Sequence, residues 1–107
     1  MATISAIVPF FQRRAGLLSD AIKSVCCQNI ECPIDILIVD DGSPVDPAVD
    51  IPTDLPANIQ VRIFRQQNAG PGAARNRGLD EVSPETEYVA FIDSDDAWEP
   101  NHLRNAV

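Results

Sequence analysis

The stretch ILIVDDGS (36–43) decides the fold class of this chain. Its four leading apolar residues leave no polar face, which is typical of a strand buried on both sides within a parallel sheet. The two aspartates and the glycine that follow indicate a turn at the carboxyl end of that strand. Because parallel neighbours must be joined by long crossovers, usually helices, the stretch predicts an α/β layered fold with a mostly parallel sheet.

The segments on either side of this stretch supply the alternation that such a fold requires. Apolar, β-branched runs predict three further strands, at 3–11, 59–66 and 87–93. Apolar residues at helical spacing and a run of helix formers predict two helices, at 15–28 and 68–82. We expect the 87–93 strand to be buried, the 59–66 strand to lie nearer the sheet edge, and a last helix to begin near Pro100.

The connector between residues 44 and 58 is rich in proline, which excludes a long helix there. Asp46 as a cap and Pro47 at the first helical position allow a single turn. No internal domain boundary is visible, so residues 1–107 are predicted to form one unit.

Composition and charge exclude several classes of protein. The 16 acidic residues outnumber the 8 basic ones, which argues against a nucleic-acid-binding face and requires local neutralisation for an anionic ligand. No run has the length of a membrane span, and IVPFF (7–11) lacks the basic flank of a signal peptide. Cys26, Cys27 and Cys32 lack the spacing of zinc ligands, so we expect free thiols in a reducing cytoplasm.

Polar residues follow three of the predicted strands at the point where each strand ends. They are the pair Asp40–Asp41, the segment 68–72 and the segment 93–96. In open α/β sheets ligands bind beyond the carboxyl ends of the strands, so these three clusters are expected to converge on one site.

The acidic segment FIDSDDAW (91–98) is the most crowded of these clusters. Asp93, Asp95 and Asp96 offer hard oxygen ligands, which suit Mg²⁺, Mn²⁺ or Ca²⁺. In an extended segment Asp93 and Asp95 face one side and Ser94 the other, and a bound cation could hold a diphosphate. The alternative is a solvated acidic turn that caps the next helix.

The other clusters also leave alternatives open. Either acid of the Asp40–Asp41 pair can form the turn, and the other is then free to accept bonds from a base or ribose. The stretch AGPGAARNRG (69–78) is either a phosphate loop or a plain helix start, and only one of Arg75 and Arg77 can point into the site. Trp98 and His102 are four residues apart, so one helix face can carry both. We expect a packed aromatic beside a surface histidine and not a catalytic pair.

Four segments together resemble the N-terminal, nucleotide-sugar-binding half of the family 2 inverting glycosyltransferases. The resemblance implies a truncated GT-A fold, a Rossmann-like and mostly parallel sheet with flanking helices. It also implies a nucleoside diphosphate sugar, with a UDP-sugar expected first, and a divalent cation, Mn²⁺ or Mg²⁺. The segments are ISAIVPFFQR, ILIVDDGSPVD, NAGPGAARNRGLD and YVAFIDSDDAWEPNHL.

The resemblance also implies roles for individual residues. The nucleotide-binding residues would be Pro9, Phe11, Asp41, Arg75, Asp93 and Asp95. Asp93 and Asp95 form the D-x-D motif, and the metal ligands would be Asp95 and Asp96. No catalytic residue is assigned, because the general base of such enzymes is expected beyond residue 107, and residues 1–107 are therefore expected to be inactive alone. The chain departs from the family pattern at Phe11-Gln12, where Tyr-Asn or Phe-Asn is usual.

Further expectations concern partners and competing classes. The acceptor is expected to be a saccharide or a lipid-linked glycan, and the full-length parent is compatible with membrane association. An exposed sheet edge predicts self-association. The alternative class, a phospho-accepting receiver domain, needs an acidic pair after the first strand and a late lysine, whereas this strand ends in VPFF and the sole lysine, Lys23, lies in the first predicted helix.

Overall fold

The chain folds into a four-stranded parallel sheet with helices on both faces. The computed structural model describes residues 3–106. The order of elements confirms the predicted alternation of strands and helices. The elements are β1 (Ile4–Phe10), α1 (Leu17–Cys26), β2 (Ile34–Asp41), a 3₁₀ turn (Pro47–Asp50), β3 (Ile59–Gln66), α2 (Pro71–Glu81), β4 (Tyr88–Phe91) and α3 (His102–Ala106).

The strands lie in the order β3-β2-β1-β4, and every neighbouring pair is parallel. Ile7 of β1 pairs with Leu37 of β2 on one side and with Phe91 of β4 on the other. The two central strands are buried on both faces, and residues 36–39 are fully inaccessible. The apolar run that suggested a buried parallel strand is therefore confirmed.

The outer strands differ from each other in how well they were predicted. β3 lies at one edge of the sheet, as expected from its imperfect alternation. β4 was predicted to be buried, and this was wrong: Tyr88, Val89 and Phe91 are between 39% and 45% exposed. β4 pairs only with β1, and no other strand of the described part of the chain covers its outer edge.

Helix α1 packs its apolar stripe onto one face of the sheet. Leu18, Ala21, Ile22 and Val25 are buried in a cluster with the inward residues of β1 and β2. The helix begins at Leu17, two residues later than predicted, because Gly16 has a φ of 104°.

The 3₁₀ turn lies beside the beginning of α1. Both carboxylate oxygens of Asp50 lie 2.9 Å from the backbone nitrogen of Gly16, so a residue of the connector accepts the hydrogen bond that α1 cannot satisfy itself. Asp46 caps the turn by accepting from the amide of Ala48 at 3.0 Å, which confirms the predicted single turn.

Helix α2 covers the opposite face of the sheet and approaches it closely. A Cβ atom at Gly78 would lie 2.4 Å from Cγ2 of Ile7, so only glycine permits this distance. The helix begins at Pro71, following Gly70 with its φ of 100°. Since α2 follows β3, its N-terminus lies at the carboxyl edge of the sheet. None of the helices within residues 3–106 has the length and apolar character that crossing a membrane requires.

Candidate functional site

A cavity of about 400 Å³ opens at the carboxyl edge of the sheet. This volume lies in the range of small-molecule sites, about 300–1,000 Å³. All three polar clusters contribute to its wall, together with the end of β1, so the predicted convergence is confirmed. The lining residues are Pro9, Phe10, Phe11, Asp41, Asn68, Gly70, Pro71, Ala74, Asp93, Ser94 and Asp95.

Five of the predicted nucleotide-binding residues line this cavity, namely Pro9, Phe11, Asp41, Asp93 and Asp95. The sixth, Arg75, lies beside it, with its guanidinium nitrogen 3.4 Å from a carboxylate oxygen of Asp93. As the helical spacing required, Arg77 points elsewhere. It pairs with Glu81 at 3.4 Å and lies over the ring of Phe64.

The carboxylate of Asp41 holds the loop between β3 and α2. Oδ1 accepts from Nε2 of Gln66 at 3.0 Å and from the amide of Ala69 at 2.8 Å. Oδ2 accepts from the amide of Gly70 at 3.0 Å and from Nδ2 of Asn68 at 3.3 Å. A carboxylate has about four lone-pair positions, so all of them are occupied in this conformation.

The hydrogen bonds also determine the pKa of Asp41. Burial raises its pKa, since the residue is only 3% exposed, but the bonds from Gln66, Ala69 and Gly70 outweigh burial and hold the pKa below its ordinary value. The carboxylate is therefore charged at neutral pH. The expectation that one acid of the pair is left free was wrong, because Asp40 holds the turn and a loop remote in sequence occupies the carboxylate of Asp41.

Asp40 has the structural role that was expected for one member of the pair. Its Oδ1 accepts from the amide of Ser43 at 2.9 Å, and its Oδ2 pairs with Arg65 at 2.9 Å. Arg65 also bonds Asp46 at 2.9 Å. The first acid of the motif thus joins the turn after β2 to the proline-rich connector.

The acidic segment turns immediately after β4. The amide of Asp96 donates to the carbonyl of Asp93 at 3.0 Å, so the segment is a turn and not the extended strand that was expected. Asp93 and Asp95 nevertheless both line the cavity. Asp96 is not among the lining residues, and its carboxylate accepts from the amide of Ala97 at 2.8 Å.

The fit of this segment to a divalent cation depends on the source of the remaining ligands. Among residues 3–106, no three His, Cys, Asp or Glu side chains are close enough together to hold a metal ion by themselves. Mg²⁺ in nucleotide sites usually takes one or two carboxylates and completes its shell with substrate phosphates and water. Of the three carboxylates that line the cavity, Asp41 is occupied by its hydrogen bonds, and Asp93 and Asp95 fit this second type of site and not a metal cage built from protein alone.

A polar network that the sequence did not reveal joins three loops of the site. The amide of Gln12 donates to Oγ of Ser43 at 3.0 Å, and that hydroxyl donates to the carbonyl of Gln12 at 3.0 Å. The side-chain Nε2 of Gln12 donates to Oγ of Ser94 at 2.9 Å. The only signal in the sequence was that Gln12 departs from a family pattern.

The segment after the acidic turn is anchored to Gln28, two residues beyond the end of α1. Gln28 is buried and donates to the carbonyl of Glu99 at 2.7 Å, while its Oε1 accepts from the amide of Leu103 at 2.8 Å. The rings of Trp98 and His102 are stacked at 4.7 Å. Trp98 packs against the core and His102 is exposed, which confirms the packed aromatic beside a surface histidine. The expectation that one helix carries both was wrong, because α3 begins only at His102.

Two curated relatives align along nearly the whole chain. Succinoglycan biosynthesis protein ExoW of Rhizobium meliloti (strain 1021) is 44% identical over 108 residues, covering 99% of this chain and 33% of ExoW. Minor teichoic acid biosynthesis protein GgaA of Bacillus subtilis (strain 168) is 37% identical over 107 residues, covering 94% of this chain and 23% of GgaA. The chain therefore spans about a third or less of the length of these relatives.

Solved structures share the fold. The crystal structure of S. aureus TarS 1-349 in complex with UDP-GlcNAc superposes with a TM-score of 0.79 at 27% identity, covering 99% of this chain and 30% of that one. The likeness confirms the expected GT-A-like arrangement of a parallel sheet and flanking helices, and none of these comparisons supports a receiver domain. The model of Glycosyl transferase family 2 matches residues 5–107. The chain therefore belongs to glycosyl transferase family 2.

Proposed function

We propose that this chain binds a nucleoside diphosphate sugar, the donor of an inverting glycosyltransferase reaction. The observation that carries the proposal is the cavity at the carboxyl edge of the sheet, where all four family motifs meet. TarS 1-349, to which 99% of this chain is similar, has been crystallised with UDP and with UDP-GlcNAc. A UDP-sugar is accordingly the donor that we expect first.

The two sides of the cavity suit different parts of such a donor. Pro9, Phe11 and Ala74 provide apolar surface, on which a flat base can pack. Asp93 and Asp95 lie on the acidic side, where ribose hydroxyls and a cation would be bound. Arg75, which lies 3.4 Å from Asp93, would contact a base or a phosphate.

A divalent cation, Mn²⁺ or Mg²⁺, completes the proposal. A protein with a formal charge of -8 repels a diphosphate, and no lysine or arginine lines the cavity among the described residues. Asp95 would hold the cation directly, and Asp96 is the second predicted ligand. When bound, the cation would neutralise the diphosphate and stabilise it as the leaving group.

The reaction of the whole protein would transfer the sugar to an acceptor hydroxyl with inversion. The names of ExoW and GgaA place them in succinoglycan and teichoic acid biosynthesis, which favours a saccharide or lipid-linked glycan as acceptor. No residue of this chain is assigned as the general base, because Asp41 is fully hydrogen-bonded and the other acids at the cavity, Asp93 and Asp95, would be engaged by nucleotide and cation. The free cysteines support a cytoplasmic location, and the exposed β4 edge supports self-association.

Calorimetric titration of residues 1–107 tests the proposal. UDP should bind in the presence of Mn²⁺ or Mg²⁺ and much more weakly with EDTA. Asp95→Ala should remove this metal dependence, while Asp80→Ala, which changes an exposed residue of α2, should leave it intact. Equal affinity with cation and with EDTA would sink the metal role, and no binding under either condition would sink the donor site.

A further inference from the structure

We propose that the side chain of Gln12 is a positioning residue, which sets the acidic turn 93–96 in the orientation that binds cation and diphosphate. The inference rests on the proposed donor site and adds to it a residue of this chain that is not among those lining the cavity. Its basis is the hydrogen bond from Nε2 of Gln12 to Oγ of Ser94, at 2.9 Å.

Ser94 is the residue through which the acidic turn can be oriented. It stands between Asp93 and Asp95, and it is only 5% exposed, whereas the side chain of Asp93 is 63% exposed. The serine is therefore the inward anchor of a turn whose acids face the cavity. Rotation of Ser94 would move both neighbouring carboxylates, because all three share the same short stretch of backbone.

Gln12 is itself held firmly enough to act as a reference point. Its backbone amide and carbonyl both bond the hydroxyl of Ser43, each at 3.0 Å. The amide of Ser43 in turn donates to Asp40 at 2.9 Å, in the turn after β2. Gln12 thus links the ends of the two central strands, β1 and β2, to the turn that follows the edge strand β4.

The hydrogen bond between Gln12 and Ser94 matters because the acidic turn follows an edge strand, β4. β4 has only four residues, pairs within residues 3–106 on one side only, and is partly exposed. Such a strand fixes the segment after it less well than a central strand does. The hydrogen bond from Gln12, in the loop after β1, compensates by joining the acidic turn directly to the centre of the sheet.

The hydrogen bond between Gln12 and Ser94 can be removed without altering the backbone bonds of Gln12. Gln12→Ala removes the bond to Ser94 and leaves both backbone bonds to Ser43 in place. Gln12→Asn keeps the amide but withdraws it by one carbon–carbon bond, about 1.5 Å, which breaks the 2.9 Å contact. Gln60→Ala, an exposed glutamine in the first half of β3, is the matched control.

The test is UDP affinity measured by calorimetry, with Mn²⁺ and with EDTA, together with the melting temperature. Gln12→Ala and Gln12→Asn should weaken Mn²⁺-dependent binding about fivefold, the effect of losing one neutral hydrogen bond. With EDTA the affinity should fall less, because only the ribose contact of the turn is then affected, and the melting temperature should stay close to that of Gln60→Ala. Equal weakening in both conditions with a lowered melting temperature would mean a merely structural role and would overturn the proposal, as would unchanged affinity.

A double-mutant cycle and backbone exchange complete the experiment. Gln12→Ala and Ser94→Ala should be non-additive, since each removes the same bond, and additive effects would contradict the link. Hydrogen exchange at the Asp96 amide should be faster in Gln12→Ala than in Gln60→Ala. This readout needs no nucleotide, so it decides the positioning role even if the unaltered chain binds no UDP and the proposed function fails. Equal exchange rates would overturn the inference.

Discussion

Replacing Asp41 by asparagine should destabilise the fold by about 2 kcal/mol, although the two side chains have the same shape. The new amide NH₂ cannot accept a hydrogen bond. In either orientation it faces a pair of donors, Gln66 with Ala69 or Asn68 with Gly70, so two bonds are lost. The two bonds that remain lose their charged acceptor as well.

The magnitude follows from the number and the surroundings of these bonds. A bond to a charged group contributes about 1.5–3 kcal/mol, so two lost bonds give a gross effect of about 3–6 kcal/mol. The donors of Asn68 and Ala69 belong to exposed residues, and water can replace part of what they lose. We therefore expect about 2 kcal/mol, or a fall in melting temperature of about 8–16 °C for a domain of this size.

The pKa of Asp41 makes the prediction depend on pH. Its folded pKa is lowered, so its contribution to stability is fully present above the unfolded value of about 3.9 and is lost as the pH falls through the folded pKa. Urea denaturation should show the full difference between the two proteins at pH 7 and a smaller difference below about pH 4. Asp54→Asn, at an exposed position of the connector, is the matched control and should change the stability little. A stable Asp41→Asn variant with weakened UDP binding would refute the reasoning and restore Asp41 as a free, purely ligand-binding acid.

Two substitutions and one assay of the unaltered chain test the packing and the chemistry. Gly78→Ala should destabilise by about 1–2 kcal/mol in thermal unfolding, because its methyl group would overlap Ile7 by more than the gain in helix propensity offsets. Asp50→Ala should cost about 1 kcal/mol, since the amide of Gly16 at the start of α1 loses its acceptor. Residues 1–107 should release no UDP from a UDP-sugar in an acceptor-dependent turnover assay. No general base is assigned among them, and a positioned general base contributes about 10²- to 10⁴-fold to the rate.

Each of these predictions has its own control and its own contrary outcome. Gly72→Ala, where no atom lies within 4 Å of the added methyl group, should be neutral or slightly stabilising, and equal losses at both glycines would argue against the close approach of α2. Asp54→Ala should not alter the melting temperature, and a fall equal to that of Asp50→Ala would point to charge and not to capping. Sustained turnover would place a general base among the residues present.

Local pattern was sufficient for the fold and for the place of the site. The apolar run 36–39 predicted a strand buried on both faces, because such a run has no side that can face water, and the structure confirms it. The polar residues after three strands predicted a common site, because parallel strands end at one edge of the sheet. Both inferences depend only on side-chain periodicity and chain direction.

The environment of individual residues was decided by contacts between segments far apart in the chain. The burial of β4 was predicted wrongly, because an apolar tetrapeptide has the same pattern at the edge as at the centre, and only the strand order β3-β2-β1-β4 distinguishes the two. The partners of Asp41 lie 25 to 29 residues away, and Gln12 and Ser94 are separated by 82. Sequence determined which residues reach the carboxyl edge of the sheet; tertiary structure alone decided which are bonded there and which remain open to a ligand, because a hydrogen bond depends on distances that no local pattern specifies.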